Sequence, residues 1–201
     1  CYKVPRKVLA FYYTWYGTPD HSGAWRHWED VDPEAHDIAS STNYPARGAY
    51  DSLDPAIIDA HIREAKEAGL TGFISTWWGQ HTFDDRAFAK VLEHAGKLDF
   101  ELAPYWETAP GQGREQIEAA VDDLVYIVTK YGSHPAFLKC DGKPVIFVYG
   151  RVMNQVPLAS WPEIIETART KAGEFLLVAD GYREAFGRLF GGLHAYNITG
   201  S

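Results

Sequence analysis

Two hydrophobic periods alternate along most of this chain. Short apolar runs, typical of buried strands, are separated by longer segments in which apolar residues recur every three or four positions, as in an amphipathic helix. The apolar runs predict six strands, at 7–16, 71–78, 100–107, 143–150, 174–180 and 192–197. The helical spacing predicts helices at 54–69, 84–95, 113–131, 160–173 and 182–190.

The first predicted helix has the strongest boundary signals. Asp54 is a good N-cap residue, Pro55 occupies the first helical position, and Gly69 follows the last apolar position. Because glycine commonly ends a helix, three later helices are expected to stop at Gly96, Gly132 and Gly173.

Six successive strand–helix steps predict a parallel sheet. A (β/α) barrel and an open doubly wound sheet both fit this order. No glycine-rich phosphate loop follows the first strand, which disfavours the nucleotide-binding form of the open sheet. We therefore predict an α/β fold of TIM-barrel type, formed by one domain over 1–201. About six of the usual eight units are expected in this chain, with the last two missing from it.

Composition and charge narrow the classes of partner. The formal net charge is −8 and no basic stripe is visible, which argues against nucleic acid and anionic membranes. No apolar run approaches the ~20 residues that span a bilayer. The two cysteines, Cys1 and Cys140, do not make a disulfide framework. Cys1 is compatible with the lipid-modified first residue of a lipoprotein, so a secreted, periplasmic or lipoprotein-anchored location is favoured, although the location stays open.

Aromatic and polar residues gather where the predicted strands end. In parallel α/β folds the active site lies at these carboxyl ends, and rings mixed with acids and arginine at a concave mouth suit a carbohydrate. The alternative is a packed aromatic core at the top of the barrel. The candidate substrate-binding residues are Tyr12, Tyr13, Trp15, Tyr16, Trp28, Trp77, Trp78, Tyr149, Arg151, Asp180 and Tyr196. Asp180 equally fits a turn, and Arg151 a helix cap.

Glu107 is the candidate catalytic carboxylate. It ends the third predicted strand, directly after Tyr105 and Trp106. Apolar surroundings should raise its pKa and suit it to proton transfer, whereas its alternative role is that of a structural hydrogen-bond acceptor. The histidines show neither HxH nor HExxH spacing, and there is no GxSxG motif. We therefore expect a site without metal or cofactor.

Several segments together resemble glycoside hydrolase family 99, the endo-α-mannosidase and endomannanase family. They are "VLAFYYTWYGTP" with "HW" at 27–28, "GAYDSLDPAIIDAHIREAKEAGLTGFISTWW", "YGSHPAFLKCDGKPVIFVYG" and "GGLHAYN". The resemblance implies a (β/α)8 barrel that cleaves internal α-mannosidic links with retention. It also implies a glutamate that deprotonates the sugar 2-hydroxyl to form a 1,2-anhydro intermediate, and a second glutamate, three residues later, that protonates the leaving group.

The resemblance assigns roles to some residues and leaves one role open. Glu107 matches the family's first glutamate, and aromatic positions match Tyr12, Tyr13, Trp15, Tyr16, one of Trp77 and Trp78, Tyr149 and Tyr196. Pro110 stands where the second glutamate is expected. Glu115 is a candidate substitute acid, although an acidic residue in the first turn of a helix is common for dipole reasons alone.

Three functions therefore stay open from the sequence. The leading hypothesis is a metal-independent glycosidase that cleaves internal bonds of a glycan or polysaccharide. The others are a non-catalytic glycan-binding domain, suggested by Pro110, and a glycan-processing domain of a polysaccharide-synthesis protein. With two barrel units absent, the edges of the first and sixth strands would be open. We expect a further C-terminal segment or a homo-oligomer to cover them.

Overall fold

Six parallel strands form one curled sheet in the computed structural model, which describes residues 7–39 and 41–197; Cys1 lies outside them. The strands are β1 (Leu9–Tyr12), β2 (Gly72–Trp77), β3 (Glu101–Trp106), β4 (Lys143–Val148), β5 (Leu176–Asp180) and β6 (Gly192–His194). Each pairs in parallel with the next in chain order. This arrangement confirms the predicted fold of TIM-barrel type.

Each crossover between neighbouring strands carries at least one helix. The helices are α1 (Pro55–Glu67), α2 (Phe83–Lys97), α3 (Gly113–Tyr131), α4 (Gly150–Gln155), α5 (Trp161–Ala172) and α6 (Glu184–Leu189). Smaller elements are a helical turn (Pro19–Ser22), a 3-10 turn (Leu158–Ser160), an antiparallel pair (Val31–Asp32 with Asp37–Ile38) and a short strand (Lys139–Cys140) beside β4. Within the described ranges, no helix has the length and apolar character needed to cross a membrane.

Side chains along each strand alternate between two separate cores. The outward set packs against the helices and includes Phe73, Trp77, Leu102, Trp106, Ile146 and Val148. The inward set forms a smaller cluster inside the curl and includes Ile74, Ala103, Tyr105, Val145 and Phe147. Because successive residues of a strand point to opposite faces, this alternation continues to the strand ends and decides which residues face the mouth.

The first strand is shorter than predicted. It ends at Tyr12, whereas the sequence suggested a strand over 7–16. Beyond Tyr12 the backbone bonds to side chains of neighbouring segments. The Thr14 amide donates to the Thr76 hydroxyl at 3.0 Å, and the Tyr16 amide donates to the Ser52 hydroxyl at 3.1 Å. The aromatic run after Tyr12 is therefore an irregular segment at the mouth of the sheet.

Gly96 does not end its helix, contrary to the prediction. Helix α2 continues through Gly96 to Lys97, and the left-handed backbone (φ 51°) lies at Asp99. A Cβ atom at Gly96 would lie 2.9 Å from Cε1 of His134. The glycine at this position is therefore explained by close packing against His134, a contact between distant segments that the sequence pattern does not reveal.

Candidate active site

Glu107 lies on the inward face at the end of β3. Only 5% of the residue is exposed, and its amide donates to the carbonyl of Trp77 on the neighbouring strand at 3.1 Å. Among the described residues, its Oε1 atom has no hydrogen-bond partner. Burial, with a smaller contribution from the nearby Asp84 carboxyl, raises the pKa of Glu107 to about 7. Arg151 and the indole of Trp78 oppose this rise in pKa, although the indole N–H makes no hydrogen bond of normal geometry.

The strand ends around Glu107, on the inner face of the curled sheet, are called the cleft below. Asp84 is a second carboxyl in this region, and sequence reasoning missed it. It lies in the first turn of α2, with its carboxyl close to the hydroxyl of Thr76 on the inward face of β2. Its Oδ1 atom is buried and has no hydrogen-bond partner in the described part of the chain. Burial raises the pKa of Asp84 to about 6, against the opposing effects of its own backbone amide, Arg26 and Thr76.

Trp77 does not line the cleft, contrary to the prediction. It is fully buried in the outward core, and its indole N–H donates to Oδ1 of Asp85 at 2.9 Å. The same oxygen accepts a hydrogen bond from the Tyr131 hydroxyl at 2.7 Å, and Oδ2 accepts one from the Tyr126 hydroxyl at 2.6 Å. Trp77 is therefore part of a buried polar network that fixes α2 and α3 to the sheet.

Trp78, the next residue, belongs to the cleft. It is four residues after Ile74, so its side chain lies on the same inner face of the sheet as that of Ile74. The guanidinium carbon of Arg151 lies 4.7 Å from the centroid of a Trp78 ring, and both side chains influence the pKa of Glu107. The predicted residues Trp78 and Arg151 are thus brought together beside Glu107.

The aromatic segment after β1 supplies a stack of three rings at the mouth. Trp15 lies between Tyr13, at a centroid distance of 4.7 Å, and His27, at 4.9 Å. The Tyr13 hydroxyl also contacts the hydroxyl of Tyr196. Burial is the main reason that the pKa of Tyr13 rises, and Glu107 adds to it. The predicted residues Tyr13, Trp15 and Tyr196 therefore surround the same mouth as Glu107, and His27 joins them.

Asp180 accepts hydrogen bonds from the segments that follow β4 and β6. Its Oδ2 atom accepts a hydrogen bond from the amide of Gly150, and its Oδ1 atom accepts one from the amide of Tyr196, both at 3.1 Å. The Tyr149 ring, next to Gly150, lies 5.3 Å from the rings of both Tyr105 and Tyr196. Asp180 thereby positions Tyr149 and Tyr196, a role that extends beyond the local turn that its sequence suggested.

Tyr12, Tyr16 and Trp28 are used in packing. Tyr12 points outward, stacks on Phe73 at 4.4 Å, and its hydroxyl lies 2.9 Å from Nδ1 of His61. Tyr16 stacks on Trp28 at 4.1 Å. Trp28 is 8% exposed, and its indole N–H donates to a backbone carbonyl at 2.7 Å. The prediction that these three residues bind substrate is not supported by their positions, because their ring faces or polar tips already have protein partners.

The loop after Glu107 is fixed, but it brings no second carboxylate to the site. The side-chain amide of Gln116 donates to the Ala109 carbonyl at 2.8 Å, and the Ala109 amide donates to Gln155 Oε1 at 2.9 Å. Pro110 is exposed in this loop. Glu115 is exposed in the first turn of α3, and the structure gives it no contact with Glu107 among the described residues.

The sheet forms part of a parallel barrel, and a buried glutamate and several aromatic rings lie at the C-terminal ends of its strands. This is the end at which TIM-barrel proteins bind their ligands. Within that class, the chain belongs to glycosyl hydrolase family 99, because the sequence profile of that family matches residues 4–182. The family resemblance predicted from the sequence is thus confirmed.

Relatives and solved structures agree with this family. The glycoprotein endo-alpha-1,2-mannosidase-like protein of Mus musculus is 30% identical over 73% of this chain, and the glycoprotein endo-alpha-1,2-mannosidase of the same species is 29% identical over 70%. The chain spans only 38% and 36% of the length of these two relatives. The GH99 endo-alpha-mannosidase of Bacteroides thetaiotaomicron superposes with a TM-score of 0.77 at 27% identity, covering 94% of this chain and 61% of that one.

Proposed function

We propose that this chain binds an α-mannose-containing glycan in the cleft at the carboxyl ends of its strands and takes part in hydrolysing an internal glycosidic bond. The observation that carries the proposal is Glu107, a buried carboxyl with one oxygen that has no hydrogen-bond partner among residues 7–39 and 41–197, in a chain of family 99. The names of the relatives, which are endo-α-mannosidases, support mannose as the sugar.

Glu107 is assigned the exchange of a proton with the bound sugar. A pKa raised to about 7 leaves both the carboxylate and the acid populated near neutral pH, which is the condition for efficient proton transfer. Within the described part of the chain, Oε1 has no hydrogen-bond partner and is therefore available to a sugar hydroxyl. Because Glu115 is exposed and makes no contact with Glu107 among the described residues, we do not assign it the exchange of a proton with the sugar.

The surrounding rings are assigned the binding of sugar faces. Trp78 and Tyr196 are each partly accessible beside the cleft, so their surfaces are available for C–H contacts with a pyranose ring. Arg151 covers part of Trp78 and also supplies donors for sugar hydroxyls at the edge of the ring.

The test measures new reducing ends released from α-1,2-linked mannan oligosaccharides by the wild-type chain and by Glu107→Gln. The glutamine keeps the shape of the side chain but cannot exchange the proton, so we expect a rate about 100- to 10,000-fold lower. Asp122→Asn is the matched control, since Asp122 is exposed on α3 and makes only a 3.9 Å ion pair with Lys171. Equal rates in wild type and Glu107→Gln would refute the role of Glu107.

Pro110 favours a second candidate, a glycan-binding domain without turnover, because it removes the expected second carboxylate from the loop. Measured binding of the same oligosaccharides by the wild-type chain, with no new reducing ends after long incubation, would establish this alternative. Release of reducing ends that depends on Glu107 would exclude it.

A further inference from the structure

We propose that Asp84 and Glu107 act as one carboxyl pair in the cleft and hold the same sugar ring, each through a buried oxygen that has no hydrogen-bond partner among the described residues. The proposal deepens the proposed function and rests on it for the identity of the sugar. It adds Asp84, a residue that neither the sequence motifs nor the position of Glu107 singles out.

Strand register places Glu107 beside Trp78, and the first turn of α2 brings Asp84 to the same strand ends. Thr76 is paired with Tyr105 and Trp77 with Trp106, so the following residues, Trp78 and Glu107, lie side by side on the inward face. Asp84 approaches the same face from the first turn of α2 and lies close to the Thr76 hydroxyl. The loop between β2 and α2 thereby returns a carboxyl to the strand end that it has just left.

Each carboxyl has one buried oxygen without a hydrogen-bond partner among the described residues, namely Oε1 of Glu107 and Oδ1 of Asp84. Only 5% of the surface of Glu107 is exposed. A buried acceptor normally has a partner, because an unmade hydrogen bond costs free energy. Two such oxygens beside exposed aromatic surface are suited to neighbouring hydroxyl groups of a neutral sugar.

Charged and titratable groups face the pair from three parts of the fold, namely the segment after β1, strand β3 and helix α4. Arg151, after β4, and Arg26, in the segment after β1, stabilise the carboxylates of Glu107 and Asp84, respectively. Tyr13 and Tyr105 face Glu107 and are neutral in this setting, since burial raises the pKa of both hydroxyls. Both arginines are exposed and do not offset the burial of the two carboxyls, so the pKa of each carboxyl stays above its usual value.

The first experiment follows the side-chain carboxyl carbons of the full chain by ¹³C NMR against pH, without any ligand. In Asp84→Asn, the midpoint for Glu107 should move to lower pH, because a negative neighbour has been removed. The reciprocal variant, Glu107→Gln, should leave the midpoint for Asp84 nearly in place, because Glu107 is mainly protonated at the pH where Asp84 titrates, and Asp122→Asn should leave both midpoints in place. An unmoved midpoint for Glu107 in Asp84→Asn would overturn the pair.

The second experiment measures binding of α-1,2-linked mannotriose by calorimetry to the same variants. Asp84→Asn should weaken binding about 10-fold or more, as the loss of a hydrogen bond to a charged acceptor does, whereas Asp122→Asn should bind like wild type. Unchanged affinity in Asp84→Asn would overturn its contact with the sugar. If wild type does not bind mannotriose although the NMR midpoint for Glu107 moves in Asp84→Asn, the pair stands and the proposed sugar is wrong.

Discussion

Two adjacent aspartates should respond in opposite directions to the same substitution. Asp84 and Asp85 both lie in the first turn of α2, yet Asp84 faces the cleft with an unpartnered oxygen while Asp85 is the centre of a buried network. We expect Asp85→Asn to lower the free energy of unfolding and Asp84→Asn to raise it at pH 7.

The loss at Asp85 follows from its hydrogen bonds. Oδ1 accepts from the side chains of Trp77 and Tyr131, and Oδ2 accepts from the Tyr126 hydroxyl, the His81 amide and Lys130. An asparagine has one acceptor oxygen, so its NH2 group must face the donors on one side. Each buried donor left without an acceptor costs about 1–3 kcal/mol, and the ion pair with the 42% exposed Lys130 adds little. We therefore expect a loss of about 2–4 kcal/mol.

The gain at Asp84 follows from its raised pKa. Burial is the largest cause that moves this pKa from 3.8 to about 6, so folding disfavours the charged form. The carboxyl therefore destabilises the fold progressively as the pH rises from about 4 to about 6, and this cost persists at pH 7. The full shift corresponds to about 3 kcal/mol at pH 7, and water reaching the cleft reduces the expected gain in Asp84→Asn to roughly 1–2 kcal/mol.

The pH dependence separates the two cases further. Burial alone would raise the pKa of Asp85, but hydrogen bonds from Tyr126, Trp77, Tyr131 and Lys130 together lower it below its usual value. A lowered pKa stabilises the fold above pH 4, and this stabilisation is lost as the pH falls through the folded-state pKa. The deficit of Asp85→Asn should therefore shrink in strong acid, while the gain of Asp84→Asn should vanish already near pH 4.

Urea unfolding followed by tryptophan fluorescence and far-UV circular dichroism at pH 4, 5.5 and 7 measures both free energies. Equal m-values among wild type and variants are the check that the unfolding transition itself has not changed. Equal destabilisation by both substitutions at pH 7 would contradict the placement of Asp84 at an open cleft. A neutral effect of Asp85→Asn would contradict the buried network.

Two further predictions concern the neighbouring tryptophans and the edges of the sheet. Trp77→Phe should destabilise the fold by about 2–4 kcal/mol, through the lost bond to Asp85 and the cavity, whereas Trp78→Phe should leave the urea midpoint nearly unchanged and weaken mannotriose binding. The opposite ranking would refute the assignment of faces. Because β1 and β6 each pair on one side only among the described residues, we also expect copies of this chain to associate through these edges. Sedimentation showing a compact, stable monomer of this 201-residue chain would contradict that expectation.

The hydrophobic periodicity and the residue types at the strand ends were sufficient to predict the six strands, their parallel order and the position of Glu107 at a strand end. The alternation of side chains between the two faces of each strand would have allowed a further prediction. Ile74 and Phe73 differ in face, and the same alternation separates Trp78 from Trp77. Applied to every strand end, it would have divided the aromatic candidates into those inside the curl and those against the helices.

Other features of the site depend on contacts that no local pattern encodes. Whether Asp84 or Asp85 turns toward the cleft depends on how α2 docks on the sheet, since both positions carry the same residue type in the same turn. The bracing role of Asp180 joins amides 30 and 16 residues away in sequence. A first-turn acid and an aspartate before glycine each have a sufficient local explanation, so neither signalled a wider role.

In the aromatic run "FYYTWYG", residues that stabilise the fold alternate with residues that line the cleft. Phe11 and Tyr13 face the inside of the curl, where they contact Tyr196, while Tyr12 between them packs outward on Phe73. This short extended segment thus lines the cleft on one side of the sheet and packs against the helical layer on the other. Because Tyr12, between Phe11 and Tyr13 in sequence, is fixed by its contacts with Phe73 and His61, the rings at the mouth are positioned before a sugar arrives. Such preorganisation lowers the conformational entropy lost on binding, which gives a physical reason for so many rings at this strand end.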